Sequence, residues 1–290
     1  MIPLHRLAAA PISWGVCEVP GWGFQMPAER VVAEMAQLGL TASETGPEGY
    51  LGDDLFEADA LTKAHAVRLV GGFVPVAFHL PGADAVVAGA ARALAAIGAD
   101  VLVMAAASGD DGYDTRPTLD DAAWTTLLSG LDAARETCSA LGLRCTLHPH
   151  AGTVVERRDE IERVLVGSDV ELCLDTGHRM IGGTDPLELA RAAGDRIGHV
   201  HLKDVDAALI ERVARGELGY AAAVAEGLYR PLGAGDADIR GFVALTERAG
   251  YDGWYVLEQD LVLSEEPPAG EGPIGEVRAC VDFLSADTGA

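Results

Sequence analysis

Three short stretches decide the fold: RCTLHPH at 144–150, VELCLDTGH at 170–178 and IGHVHLKD at 197–204. Each opens on small or aliphatic residues and ends in histidine, aspartate or lysine. Between them lie Arg158–Val166 and Pro186–Ala193, whose apolar residues recur at helical spacing. Apolar strand, polar strand end, helix, then the same again is the rhythm of parallel β/α units.

The rhythm extends outward in both directions. Upstream, strands are expected at Leu7–Gly15, Leu40–Gly46, Leu69–His79 and Val101–Ser108. The helices between them are Pro27–Leu38, a segment closing over Leu61–Val67, the Ala-rich Ala83–Ile97, and Leu119–Leu141. Gly98 and Gly142 stop the last two. Downstream come a helical insert over 206–229, a helix at Ile239–Ala249, a strand at Trp254–Asp260 and a closing helix at Glu276–Leu284. Eight strand–helix units in 290 residues predict an α/β fold, a single (β/α)8 TIM barrel. No GxGxxG follows the first strand, which argues against a doubly wound dinucleotide-binding sheet. No linker divides the chain, so residues 1–290 are expected to form one domain. Ser264–Pro273, rich in Glu, Pro and Gly, reads as a surface loop after the eighth strand.

Composition narrows the partners. Hydrophobic residues make 49% and charged residues 23%, an ordinary globular balance. Lys and Arg number 21 against 45 Asp and Glu, a net charge of −24. Such a surface repels phosphate backbones and anionic lipid, so neither nucleic acid nor membrane is expected as a partner. The five cysteines are odd in number and contain no CxxC, which points to a reducing cytoplasm without a disulfide framework. The Met1–Trp14 segment only weakly mimics a signal peptide, being broken by Pro11. Asp84, Arg92 and Asp100 interrupt the most apolar region, 83–108, so no transmembrane helix is expected.

A barrel carries its chemistry at the C-terminal ends of its strands. There this chain places Glu44, His79, His148, His150, Asp175, His178, His199, His201, Lys203, Glu258 and Asp260. That set holds six of the eight histidines. Alternation along a strand puts His199, His201 and Lys203 on one face, likewise Thr146, His148 and His150, and likewise Val256, Glu258 and Asp260. Singly, each has a plain structural explanation. Asp175 could cap a helix, a lone inward histidine is commonly hydrogen-bonded core, and Glu258 could pair with Lys203. Imidazoles and carboxylates recurring on consecutive strands favour a divalent metal site. The ligands expected are Asp175, His201 and Glu258, with a fourth from strand five or its loop.

HPHAGTVVE at 148–156, LDTGH at 174–178 and HVHLKDV at 199–205 resemble the xylose-isomerase-like sugar isomerase/epimerase superfamily, and within it the inosose dehydratases. PISWG at 11–15, ETGPEGYL at 44–51 and PLGAGD at 231–236 extend the resemblance over essentially the whole chain. The resemblance implies one divalent ion, Mn²⁺, Co²⁺ or Mg²⁺ with Zn²⁺ admitted, held by two Glu, one Asp and one His. Asp175, His201 and Glu258 match by position. Where the superfamily usually has its other Glu, this chain has His148; Glu156, eight residues on, is taken as the fourth ligand, with His148 as the direct alternative. Ser13 stands where the dehydratases have Asn.

The implied reaction is loss of water from a keto-polyol such as 2-keto-myo-inositol through an enediolate, with sugar isomerisation or ketose epimerisation as the alternative. Acid and base roles are expected of Glu44, His150, His178 and Lys203, and substrate contacts of Trp14, His79 and His148. The partner expected is this small molecule, with homo-oligomerisation open. A metal-dependent DNA-repair nuclease shares the barrel, but the charge of −24 opposes it. A catalytically silent sugar-binding barrel is the reading from a different class.

Overall fold

Barrel formation follows from the parity of the strand residues. The computed structural model describes residues 2–110 and 116–286. Its strands are β1 (Leu7–Ala9), β2 (Ala42–Glu44), β3 (Arg68–Val76), β4 (Val101–Ala106), β5 (Arg144–Leu147), β6 (Glu171–Asp175), β7 (Ile197–Leu202), the short pair β8 (Asp204–Val205) and β9 (Tyr229–Arg230), and β10 (Tyr255–Leu257). All but β8 and β9 close one parallel barrel in the order β1-β10-β7-β6-β5-β4-β3-β2. One parity of each strand (Leu7, Leu69, Leu102, Leu172, Val200, Tyr255) joins the large core under the helices. The other parity is small or β-branched (Ala8, Ala42, Val70, Val101, Val103, Cys173, Val256) and fills the barrel axis.

The outer helices are α1 (Ala28–Gln37), α2 (Leu55–Ala64), α3 (Ala83–Ala96), α4 (Asp121–Ser139), α5 (Arg158–Gly167), α6 (Thr176–Ile181), α7 (Pro186–Ala193), α8 (Ala207–Ala214), α9 (Tyr220–Ala225), α10 (Ile239–Arg248) and α11 (Pro273–Ser285). Six aspartates, Asp54, Asp120, Asp175, Asp185, Asp206 and Asp238, accept the first free N–H groups of helices as N-caps. Each such cap stabilises by about 1 kcal/mol, so part of the acidic excess serves the fold.

All eight expected strands are present, and several end early. β5 stops at Leu147 and β10 at Leu257, so His148–His150 and Glu258–Asp260 leave the barrel as loop residues. β1 stops at Ala9, and Pro11–Trp14 winds into a 3₁₀ turn. Ser13 ties that turn to the last strand: its Oγ donates to the Leu257 carbonyl at 3.1 Å and accepts from the Gln259 N–H at 2.9 Å. α2 ends at Ala64, short of the expected Val67, because Ala66 enters the left-handed region at φ 59 and breaks the helix. The short α6, unexpected from sequence, starts immediately after Asp175.

The 206–229 insert holds α8 and α9, and the antiparallel β8–β9 pair brackets it. Its own small core gathers Leu209, Tyr220, Ala223, Val224, Leu228 and Tyr229 around Trp22. Of the loop expected over Ser264–Pro273, residues 264–266 and 268–272 are exposed and Pro267 is half-buried, while Pro273 is buried and opens α11. Arg30 anchors the loop through the carbonyls of Pro267 and Pro268. All five cysteines are free. Among the described residues no helix is long and apolar enough to cross a membrane.

Candidate active site

The strand tops converge on one buried group of donors. His148 follows β5, Asp175 ends β6, His201 lies in β7 and Glu258 follows β10. One ligand atom from each lies within 4.8 Å of the others. His148 Nε2 is 3.5 Å from Asp175 Oδ2, and His201 Nδ1 is 3.2 Å from Glu258 Oε2 and 3.9 Å from Asp175 Oδ2. Asp175 is 0% exposed; its Oδ1 caps α6 through the His178 N–H at 2.8 Å, while Oδ2 has no hydrogen-bond partner. His201 Nδ1 is likewise buried and makes no hydrogen bond, with Glu258 Oε2 its nearest carboxylate oxygen. An unsatisfied buried polar atom costs about 1–3 kcal/mol, a cost that a cation bound between Asp175 Oδ2 and His201 Nδ1, 3.9 Å apart, would offset. Two carboxylate and two imidazole donors suit a divalent ion. Cys173 lies close enough to join His148 and His201 in a softer set. Burial pushes its thiol up to about 11.

The electrostatics are those of a cation site. Burial opposes ionisation of Asp175, yet Lys203 and the histidines hold it below the usual carboxylate range. Burial also opposes ionisation of Glu258, which His201 and Lys203 draw well down. Lys203 stays charged against its own burial because Asp260, Glu258 and Asp175 surround it. Burial, His148 and Lys203 press His150 down to about 3, and burial with His150 holds His178 well below 6.5. These two rings are therefore neutral at neutral pH, with centroids 3.8 Å apart. Gly177 permits the close seat of α6: a Cβ there would stand 2.7 Å from the Lys203 Cβ.

Above this floor opens a cavity of about 770 Å³, with Phe73, His150, Lys203, Tyr220 and Trp22 among its walls. Tyr220 comes from the insert and donates to Asp260 Oδ2 at 3.2 Å; its oxygen also lies 2.8 Å from the Tyr229 hydroxyl. The Tyr229 ring sits 5.1 Å from Lys203 Nζ. Arg179 is fully buried and donates to the carbonyls of Pro149 and Glu156, which pins the 148–156 loop over the mouth.

Most expected site residues meet here, and three do not. Glu156 turns away: its Oε2 accepts from the Gly152 N–H at 3.0 Å and lies 3.5 Å from Arg116 Nε. Arg179 holds the Glu156 carbonyl at 2.8 Å, and His148, not Glu156, joins Asp175, His201 and Glu258 in the four-donor cluster. Trp14 is 0% exposed in the large core, where its Nε1 donates to Glu34 Oε2 at 2.8 Å. The 3₁₀ turn swings it toward α1, away from the cavity, and Trp22 supplies the aromatic wall instead. His79 lies in the turn after β3, outside the cavity lining; β3 contributes Phe73, Val74 and Pro75 there. Glu44 is within the site but beneath His201, with Oε1 accepting from His199 Nε2 at 2.8 Å and His201 Nε2 at 3.0 Å.

Sequence reasoning did not assign roles to Trp22, Tyr220, Tyr229, Arg179 or Asp260. For Asp260 the alternation with Glu258 was the available signal. Arg179 directly follows the DTGH motif. The two tyrosines lie in the insert, where no periodic pattern points inward.

Comparison with known proteins agrees with this fold. A family model described as xylose isomerase-like TIM barrel matches residues 32–273. An inosose dehydratase of Geobacillus kaustophilus (strain HTA426) is 32% identical over 299 residues, covering 96% of this chain and 93% of that protein. Among solved structures, the probable 3-DHS dehydratase AsbF of Bacillus anthracis superposes with a TM-score of 0.70 at 14% identity, over 97% of this chain and 99% of that one. A D-allulose 3-epimerase from Methylomonas sp. gives 0.68 at 15% identity, over 96% of each chain. At such identity these two structures attest the shared fold.

Proposed function

Because the chain belongs to the xylose isomerase-like TIM barrel family, we propose that it is a divalent-metal-dependent dehydratase, a lyase that removes water from a keto-polyol such as 2-keto-myo-inositol. The four-donor cluster of His148, Asp175, His201 and Glu258, with two orphaned ligand atoms, carries this reading. The name of the Geobacillus relative supports the reaction class.

His148, Asp175, His201 and Glu258 would hold the ion. When bound, it supplies Lewis-acid polarisation of a ketone and stabilises negative charge developing on that oxygen. Mn²⁺ and Co²⁺ suit this mixed set of two imidazole nitrogens and two carboxylate oxygens, and Mg²⁺, which favours all-oxygen ligation, suits it less. His150 is the base we assign to the α-proton. Its Nδ1 engages the Ala151 carbonyl at 2.8 Å, which fixes the orientation of the neutral ring. His178 packs behind it, and its Nδ1 accepts from the Ala151 N–H at 3.4 Å. Lys203 presents a fixed ammonium to substrate oxygens and favours departure of the β-hydroxyl. The apolar wall around Phe73 and Trp22 excludes water from the ring face.

The test is incubation with 2-keto-myo-inositol and Mn²⁺ or Co²⁺, followed in the ultraviolet. Loss of the α-proton and the β-hydroxyl as water from an α,β-dihydroxy ketone leaves a conjugated enol of a 1,2-diketone, so absorbance should grow with turnover. Exchange of the α-proton for solvent deuterium without new absorbance would replace the dehydratase with an epimerase. No change in either signal would leave a binding protein.

A further inference from the structure

We propose that Glu44 is a positioning residue: its buried carboxylate holds the His201 ring with the proton on Nε2, so that Nδ1 is the nitrogen offered to the ion. The inference rests on the metal reading above and deepens it.

A neutral imidazole has one N–H and one lone pair, and the partner of one nitrogen decides which nitrogen is which. The two nitrogens of His201 face opposite ways. Nε2 is 3.0 Å from Glu44 Oε1. Nδ1 looks toward Glu258 Oε2 at 3.2 Å and Asp175 Oδ2 at 3.9 Å and has no hydrogen-bond partner. Carboxylates flank both nitrogens, but Glu258 and Asp175 belong to the four-donor cluster and would turn to the ion, whereas Glu44 lies outside it and keeps accepting the Nε2 N–H, which leaves the Nδ1 lone pair on the cluster side.

Glu44 is itself held rather than mobile. His199 sits two residues before His201 on the same face of β7 and donates to the same oxygen at 2.8 Å. The β2–β3 register shifts between Ser43 and Glu44, and the Ser43 hydroxyl donates to the Glu44 carbonyl at 2.7 Å. Around it the barrel interior is apolar, with Ala8, Ala42, Val70 and Val256. A carboxylate 2% exposed in such a place is expensive unless hydrogen-bonded, and both bonds serve β7. Carboxylates that receive the outer N–H of a ligating histidine commonly raise metal affinity by 10–100-fold.

Two rival roles make different predictions. Glu44 could be a base acting on substrate. Alternatively Glu44, His199 and His201, which also bring ligand atoms within 4.8 Å, could hold a second ion.

The experiment measures Mn²⁺ and Zn²⁺ affinity and stoichiometry by competition with a chromophoric chelator, without substrate, in wild type and Glu44→Gln. The expected result is one ion per chain in both, with about 10-fold or greater weakening in the variant. Nitrogen NMR of His201 in the Zn²⁺-loaded wild type gives a readout that needs no variant. It should show the proton on Nε2 and a metal-shifted Nδ1. Wild-type affinity in Glu44→Gln with lost turnover would assign Glu44 to the chemistry and overturn the proposal. Two ions in wild type and one in the variant would overturn it in favour of a second site. A proton on His201 Nδ1 would also overturn it. A wild-type chain that binds no ion would remove the metal reading and this inference together, whereas the other outcomes leave the metal reading standing.

Discussion

Lys203 Nζ lies 2.5 Å from Asp260 Oδ1 and 3.1 Å from Glu258 Oε2. The ammonium therefore shares Glu258 with the proposed ion, and two cations compete for one carboxylate. Replacing Lys203 with Met should raise divalent affinity while lowering turnover by at least about 10-fold. Thermal stability should fall, since stranding Asp260 breaks a buried pair at a cost of roughly 3–5 kcal/mol. Chelator competition, steady-state rates and thermal melts read the three effects. Weaker metal binding in this variant would contradict the geometry.

The fourth ligand is decided by comparing His148→Asn with Glu156→Gln. The first should lose metal affinity by more than the roughly 10–100-fold that a supporting group is worth. The second should bind the ion as wild type does. Its stability should change little, because the contact to Arg116 is partly solvated and such pairs contribute about 0–1 kcal/mol. The opposite order would restore Glu156 to the metal.

Asp175 has two jobs on two oxygens. Oδ1 caps α6, and Oδ2 faces the cluster. Asparagine caps as well as aspartate does. Asp175→Asn should therefore fold normally and lose both ion affinity and turnover. Wild-type turnover by this variant in the presence of a chelator would exclude the metal mechanism.

Two tryptophans should separate stability from binding. Trp14→Phe removes the donor to Glu34 Oε2 and should cost about 1–3 kcal/mol in unfolding free energy with KM unchanged. Trp22→Ala removes part of the cavity wall and should raise KM. An altered KM in Trp14→Phe would return that residue to the substrate site.

Cys17 lines the cavity, and burial, aided by Glu18, pushes its thiol up to about 12. Only the thiolate attacks alkylating reagents. A raised thiol pKa means less thiolate at any pH below it. Alkylation at pH 8 should be slow and should keep rising above pH 9, where an ordinary thiol levels off. Mass spectrometry of Cys17 after iodoacetamide treatment checks this; a plateau near pH 9 would show that the thiol is not raised.

The barrel was legible because its signals are local. Each strand carries its own apolar run and its polar end, and Gly98 and Gly142 mark helix stops. Asp175, His201 and Glu258 were legible because alternation in β7 and past β10 survives into the loops. The positions of Glu156 and Trp14 were not legible because they depend on contacts distant in sequence. Arg179 holds the first through a backbone carbonyl, and Glu34 draws in the second. Tyr220 reaches the cavity only through the packing of the insert against Trp22, which no spacing in the sequence encodes.

β1 is made from residues 7–9, and its partner β10 from residues 255–257. Within the barrel, β1 is translated first and must wait for β10, the last of the eight strands. A nascent chain that has emerged through β7 carries unpaired backbone along β1 and β7, an edge open to other chains. The strand that seals this edge is followed at once by Glu258, Gln259 and Asp260. Glu258 completes the four donors, and Asp260 receives Lys203. Glu258 and Asp260 therefore reach their partners only when the barrel closes, so the four-donor set is assembled by the same step that removes the open edge.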